Sequence, residues 1–550
     1  MSITNVFKNR SYPFLNTIIR KGSIDLVILL LLLWEITSHL FHGSYSNVIE
    51  LFSDIRIRSN VLIFFYYALS RLSFRYCHKT SFVVTILLLF LFSLKEAILG
   101  ITQLCKGAPF PVGTMMNPNI FACLLSISCS VLIIIVSKQT NRALRVIGYT
   151  ILCLFLFLVL QSKSRLALLS IVVPTICFLV ITSNYSHFFR KHIASISFVL
   201  ILLFSVLYVI KKPSADGRFY MSKIAIRTIC HNGIWGCGVD SYAGAFGDEQ
   251  FSYYCNGKEE VDIDYVISSN LKNNNRACTP MTAFNEILRI GVEFGPVAML
   301  LALYIIIRAI IILIKKVSPL GYGLFSLFLV SQFSYPHCFP IYCLLLSIFI
   351  GAASSLDNCD SKKWISWTPP IVNSFEVLLL GSFLLLELPQ IRVIEDYNKH
   401  NEDITFLFKN EEYKMVSEYC KEFFDSGVSN LSLLYEYGVS LSKLGYYEKS
   451  DSILHVGAAL CSNPVFWQEI GHNYFRDKKY VEAEKAYIRS FMMVPNRITP
   501  LLYLAQLYYQ IDDKEKLSKI SLFSDEFKPK IPSATTIEYH NIIKRLANGE

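Results

Sequence analysis

The chain reads as an all-α protein: a polytopic bundle of membrane-spanning helices, broken by one large polar loop and followed by a soluble helical solenoid. Three observations predict this. Hydrophobic residues make up 53% of the 550 and charged residues 17%, with a mean hydropathy of +0.42, which is more apolar surface than a soluble domain can hide. Apolar runs long enough to cross a bilayer recur through the first 390 residues. Beyond them the composition turns soluble and a period of 33 to 34 residues sets in.

Eleven runs carry the membrane reading, at 24–42, 57–70, 81–104, 117–137, 144–162, 165–183, 193–210, 294–314, 320–336, 339–355 and 371–388, so that 11 to 12 spans are expected. Some reach the ~20 residues a span needs only with tilt or flanking help, and Arg71 and Arg75 shorten the second. Lys8, Arg10, Arg20 and Lys21 precede the first run and no small-residue cleavage site follows it, which predicts a retained anchor with a cytoplasmic N-terminus. Counting from there, Arg71, Arg75 and Lys79, then Lys138, Arg142 and Arg145, then Arg190 and Lys191, then Lys315 and Lys316, then Lys362 and Lys363 fall on that same side. The polar loop at about 211–293 falls on the opposite, external face, and so does everything after residue 390.

The net charge of +10 consists mostly of these topological cations, so it does not point to nucleic acid. Lys163, Arg165, Arg218, Lys223 and Arg227 are basic on the external side, where topology does not ask for them. The fifteen cysteines include no C-x-x-C pair and most lie inside spans, so they suggest neither a metal site nor a disulfide framework. Cys230, Cys237, Cys255 and Cys278 lie in the external loop, where a disulfide is open.

The fourth span opens on Asn117-Pro118-Asn119, a capping Asn ahead of a first-turn Pro; the amides either cap alone or also touch a headgroup or sugar. Gln161-Ser-Lys163-Ser-Arg165 is a short external turn whose cations either snorkel to lipid phosphate or face inward on a diphosphate. A short amphipathic helix is expected from Asp216 to Arg227. On it Lys223 and Arg227 share a face, whereas Arg218 is rotated by about 140° from Lys223, so Arg218 at the helix start is the favoured ligand. Gly233-Ile-Trp-Gly236-Cys-Gly238 has no preceding buried strand and the wrong order for a dinucleotide cradle, and tight turns are expected instead. The segment 248–276 is rich in Tyr and Asn, composition that suits either a sugar-binding cleft or a plain loop.

The loop returns through Asn285-Glu286-Ile-Leu-Arg289-Ile-Gly-Val-Glu293. On a helix Glu286, Arg289 and Glu293 share a side and Asn285 pairs with Arg289 at i+4, an arrangement that is either a self-neutralising interfacial ion pair or the wall of a polar cavity. Ser334-Tyr-Pro-His337-Cys-Phe-Pro340 makes an external kink that brings His337 to the mouth of the same face. In the tail, Gly438, Gly471 and Ala505 recur, as do Tyr447, Tyr480 and Lys514, with Tyr413 one period earlier; about three helical pairs resembling tetratricopeptide repeats fit between Asp403 and Ile520. Such repeats bind other chains, so a protein partner is expected there. Two blocks follow, 1–390 in the membrane and 391–550 outside it.

Taken in order, Gly113-Thr-Met-Met-Asn-Pro-Asn, Gln161-Ser-Lys-Ser-Arg, Gly217-Arg-Phe-Tyr-Met-Ser-Lys, Trp235-Gly-Cys-Gly and Ala283-Phe-Asn-Glu-Ile-Leu-Arg-Ile-Gly-Val-Glu-Phe-Gly resemble the O-antigen ligase family. The wider group includes O-antigen polymerases and bacterial protein O-oligosaccharyltransferases. The resemblance covers roughly residues 20 to 390. It implies a bundle like the C-type glycosyltransferases and a transferase needing neither metal nor cofactor. That enzyme moves a glycan from undecaprenyl diphosphate to an acceptor glycolipid, glycan or protein at the periplasmic face of a bacterial inner membrane. It also implies that Arg165 and Arg218 hold the lipid diphosphate; Lys163 and Lys223 are grouped with them, and Asn285, Arg289 and Arg227 support the site. Many members carry His before the Asn of the returning helix, where this chain has Phe284, so the usual base is not at its usual place. Glu286 is the first candidate for that role and His337 the second. Three other readings stay open: a surface-polysaccharide polymerase, a polysaccharide transporter or flippase, and a membrane-anchored scaffold in which only the repeats act. Polar weight gathered in one external loop, with no inverted hydropathy repeat, counts against transport.

Overall fold

Helix accounts for 78% of the structure, a computed structural model, and no strand occurs among the described residues. These are residues 23–42, 55–182, 212–269, 274–357, 395–428 and 430–550, together with 192, 209, 271 and 393. The expected spans at 193–210, apart from residue 209, and at 371–388 lie outside them. The chain divides into two units, one of residues 1–218, 234–238 and 283–378, the other of 219–233, 239–282 and 379–550. Most of the polar loop therefore clusters with the C-terminal helices and not with the spans, a division different from 1–390 and 391–550.

Among the described residues of the first unit seven helices are long and apolar enough to cross a membrane, which fits a multi-pass membrane protein. They are α1 (Ile24–His42), α3 (His78–Cys105), α4 (Pro118–Lys138), α5 (Arg142–Gln161), α6 (Arg165–Thr182), α10 (Glu286–Lys315) and α12 (Pro340–Asp357). Between them stand α2 (Ile55–Tyr76), whose arginines keep it too polar to count as a span, and α11 (Pro319–Ser331), which is too short.

Helix α4 is the hub. Asn117 caps it by accepting from the Asn119 and Ile120 amides, and Pro118 occupies its first turn, where a missing N–H costs nothing. Nearly every side chain from Ile120 to Leu132 is buried, because α3, α5, α6 and α11 all pack on it. Small hydroxyls let these helices approach closely and replace the hydrogen bonds that hydrocarbon cannot offer: Ser93 to Ser128 at 2.7 Å and Ser170 to Ser126 at 2.8 Å.

Helix α10 is two helices joined at a break. Gly295 has φ of +84°, and Pro296 behind it lacks an N–H, so the carbonyls of the preceding turn lose their helical donors. Others take their place. Cys237 N donates to Val292 O, Gly238 N to Glu293 O and the Trp34 indole N–H to Phe294 O, each at 2.9 Å. Trp34 stacks on Trp235 with centroids 4.3 Å apart, and Ser38 donates to the Trp235 carbonyl at 2.7 Å. The Gly-rich stretch 233–238 thus serves as a clip on a broken helix.

Helix α7 (Lys212–His231) belongs to the first unit as far as Arg218 and to the second from Phe219; it is longer than the expected helix from Asp216, so Arg218 lies in its second turn and not at its start. Two shorter helices follow, α8 (Tyr242–Tyr254) and α9 (Ile263–Ser268). After helical residues 395–409 come α13 (Tyr413–Asp425), α14 (Leu431–Lys443), α15 (Tyr447–Leu460), α16 (Val465–Arg476), α17 (Tyr480–Met493), α18 (Thr499–Gln510), α19 (Lys514–Glu526) and α20 (Ala534–Ala547). From α13 to α20 each helix packs on the next, α15 to α16 included. Recurrent sequence positions occupy recurrent places: Gly438, Gly471 and Ala505 lie in α14, α16 and α18, and Tyr447, Tyr480 and Lys514 begin α15, α17 and α19.

Helix α8 lies on α15 and α17, and α9 on α17 and α19, the second helix of each pair. The contact is built in detail. A Cβ on Gly244 would run into the Ala459 carbonyl. Gln250 donates to the Met493 carbonyl at 2.6 Å, Asn496 to the Ala277 carbonyl at 2.9 Å and Ser462 to the Pro280 carbonyl at 2.7 Å. Arg489 sits between the rings of Phe251 and Trp467, at 4.7 and 4.3 Å, and pairs with Asp248 at 2.7 Å. Cys255 is buried in this core, and no disulfide forms among the described cysteines.

Candidate functional site

In the first unit four stretches distant in sequence come together: the turn after α3, the start of α6, Arg218 of α7, and the start of α10 with the short 3₁₀ turn Pro336–Cys338. The first is fixed from within the bundle. Glu96, fully buried on α3, accepts from Thr114 N and Thr114 Oγ1 at 2.7 Å each. One helical turn and more beyond, Gln103 accepts from Val112 N and Gly113 N at 2.9 Å and donates to Gly113 O at 3.0 Å. These bonds place Asn117, whose amide donates to the Tyr335 hydroxyl at 2.8 Å while its oxygen caps α4.

Lys163 is exposed, with φ of +52°, and its ammonium lies 5.3 Å from the Phe110 ring on the same turn that Glu96 holds. Arg165 begins α6. Arg218 is half-buried over the Phe284 ring at 5.3 Å, and Phe284 meets Tyr335 edge-on at 5.2 Å. No carboxylate pairs with Arg218 among the described residues. Burial first, and the nearby Arg165 charge second, hold the Arg218 guanidinium below its usual pKa. A like charge close by and an aromatic ring beneath it leave the Arg218 guanidinium in a setting that an anion would relieve.

At the start of α10, Asn285 caps the helix by accepting from Leu288 N at 3.0 Å and donates to Gln332 at 3.3 Å. The expected side-chain pairing of Asn285 with Arg289 does not occur, because capping uses the oxygen. Arg289 instead bridges both acids, with Nε to Glu286 at 2.8 Å and Nη1 to Glu293 at 3.1 Å. Glu286 also accepts the His337 backbone N–H at 3.2 Å. The His337 ring is 11% exposed, with Nδ1 3.9 Å from Glu286 and an Nε2 that has no hydrogen-bond partner. Burial lowers the His337 pKa below the usual imidazole range, Glu286 opposes that, and Arg289 adds to it. The two candidate bases therefore touch, and they differ: the carboxylate is committed to Arg289, whereas a buried, neutral imidazole has a nitrogen to spare.

Lys223 and Arg227 belong to the second unit. Lys223 reaches the Tyr253 hydroxyl at 3.0 Å and Arg227 pairs with Glu249 at 2.7 Å, where His231 also bonds that carboxylate at 2.8 Å. Sequence reading did not single out Glu96, Gln103, Trp34, Gln332 or Tyr335. Glu96, set beside Lys95 in an apolar run, was the one available signal, since such a buried charge must find partners. No group of three or more His, Cys, Asp or Glu able to hold a metal occurs among the described residues. Set beside known proteins, the chain matches no family model and no curated protein.

Proposed function

We propose that this chain is a membrane glycosyltransferase resembling O-antigen ligases. It would move a glycan from an undecaprenyl-diphosphate-linked donor to a hydroxyl of a lipid, glycan or protein acceptor at the periplasmic face of a bacterial inner membrane. The observation that carries the reading is Arg165 beside a half-buried Arg218 that has no carboxylate partner among the described residues. Breaking the bond between a sugar carbon and a diphosphate builds negative charge on the leaving oxygens, and guanidinium donors fixed in a water-poor wall stabilise that charge as it forms. The attacking hydroxyl gives up its proton to His337 Nε2, while Glu286, paired with Arg289, accepts the His337 backbone N–H and so fixes the turn that carries the ring. Asn117, Phe284 and Tyr335 offer the amide and ring faces that a pyranose stacks on and bonds to.

The helix pairs α14/α15, α16/α17 and α18/α19 are read as tetratricopeptide-like repeats. Because the polar loop lies on their second helices and α20 packs on α18, the first helices α14 and α16 are the face left for an acceptor or partner protein. A polymerase would use the same donor site and differ only in acceptor. The test is transfer from lipid-linked oligosaccharide in membranes carrying Arg165→Ala or Arg218→Ala. Each is expected to lose about a hundredfold or more in rate while inserting normally. Near-normal transfer by both variants would remove the diphosphate site.

A further inference from the structure

The second unit contains a cleft of about 410 Å³, bounded by residues 277–279, the turn entering α18 and the segment ahead of α20. Its size lies within the range of small-molecule sites. Arg497 and Lys530 line it, and no Asp or Glu does. Arg497 is half-buried; one of its nitrogens donates to Asn463 at 2.9 Å, and no carboxylate pairs with it among the described residues. Lys530 is exposed at the rim, 3.4 Å from the Ala277 carbonyl. Thr499 and Thr535 bring hydroxyls to the same cleft and Tyr539 brings a ring, while Ser533, which also lines it, caps α20 through its hydroxyl. The helices α18 and α20 begin there, which adds the partial positive charge of two helix starts to that of the side chains.

We propose that this cleft binds an acidic monosaccharide unit, a sugar bearing a carboxylate or a phosphate, with Arg497 and Lys530 on the acid and the hydroxyls and Tyr539 on the ring. A cationic wall without carboxylates selects an oxyanion, and planar guanidinium donors suit both carboxylate and phosphate. Hydroxyl and aromatic lining suits a small, hydroxylated carrier better than a bare ion. The site is far along the chain from Arg165 and Arg218 and needs no transfer chemistry, so it stands or falls independently of the function proposed above.

The test uses the full chain in detergent at low salt, probed with glucuronate, glucose 6-phosphate and glucose. Either acid is expected to bind and to raise the unfolding temperature, with glucose inert at the same concentration. Arg497→Gln and Lys530→Ala are each expected to weaken that binding by about tenfold or more. Lys530 is exposed, so its variant keeps the fold if Arg497→Gln does not. Repeating the titration in Arg218→Ala excludes binding at the other cationic site. Glucuronate alone binding identifies a sugar acid, and glucose 6-phosphate alone a sugar phosphate. Equal binding of glucose, no binding of either acid, or acid binding unchanged in both variants would overturn the proposal.

Discussion

His337 carries the sharpest single-residue expectation. Its lowered pKa keeps the ring neutral, and so able to accept a proton, at every pH above the usual imidazole value and for some way below it. Transfer should therefore persist below about pH 6.5 before it declines. His337→Gln should cut kcat by about a hundredfold or more with little change in KM, measured on lipid-linked donor at saturating acceptor. An unchanged kcat would assign the proton to another group. Glu286→Gln should act differently, lowering stability as well as rate, because Arg289 would lose one of its two buried partners. In the second unit, His472 bonds the Tyr487 hydroxyl at 2.8 Å and packs on Tyr503, and burial pulls its pKa down to about 4. The unfolded chain protonates this ring near pH 6.5 and the folded one near 4, so stability from its burial is complete above 6.5 and is lost as pH falls toward 4. The loss, on the order of 3 kcal/mol, should appear as faster hydrogen exchange in α16 across that window and be blunted in His472→Phe. Arg165 and Arg218 stood out in the sequence as charges where the expected topology asks for none, and the structure sets the one close enough to act on the other. Tyr335 and Gln103 did not stand out, because a polar side chain near a helix end is ordinary until its partner is known.

The broken helix α10 is where element-scale expectation fell short. Hydropathy placed a span at 294–314 because it weighs apolar content, and the charged turn from Glu286 to Glu293 has too little; capping by Asn285 and the ion pairs of Arg289 make that turn helical all the same. Pro296 was in plain view. What was not visible is that Trp34 and residues 237–238 supply the donors a break requires, since those bonds join residues 260 and 55 positions apart. Two glycine variants separate conformation from crowding. Gly233→Ala meets only the cost of a left-handed φ of +72° with open space around it, about 1 kcal/mol. Gly295→Ala adds a collision with the Ile234 carbonyl and should lower the unfolding temperature much further. Equal shifts would mean the clip moves freely. Helices that are continuous apolar runs opened by an Asn cap, α4 above all, were readable to within a residue or two.

At the scale of the molecule, the chain passes between its two units five times, at 218/219, 233/234, 238/239, 282/283 and 378/379. Composition separates apolar from polar segments but does not tell which polar segments belong together, because a period in one stretch says nothing about what covers it. Gly244→Leu is expected to lift α8 off α15, seen as protease cleavage within 242–268 in the full chain, while α14 and α18 stay protected. Uniform resistance would show that the contact tolerates the added volume. That same contact governs how the protein is made. Phe251, Cys255 and Ile263 share a core with Phe491, Tyr508 and Phe523, residues that leave the ribosome more than 200 positions later, a wait of roughly 10–40 s at ordinary translation rates. Throughout that interval the nascent segment has nothing to fold against, so its greasy side must be shielded by a chaperone or risk sticking to a neighbour. Transcripts ending before α15 should yield a polypeptide that is cleared quickly, even with every helix of the bundle already in place.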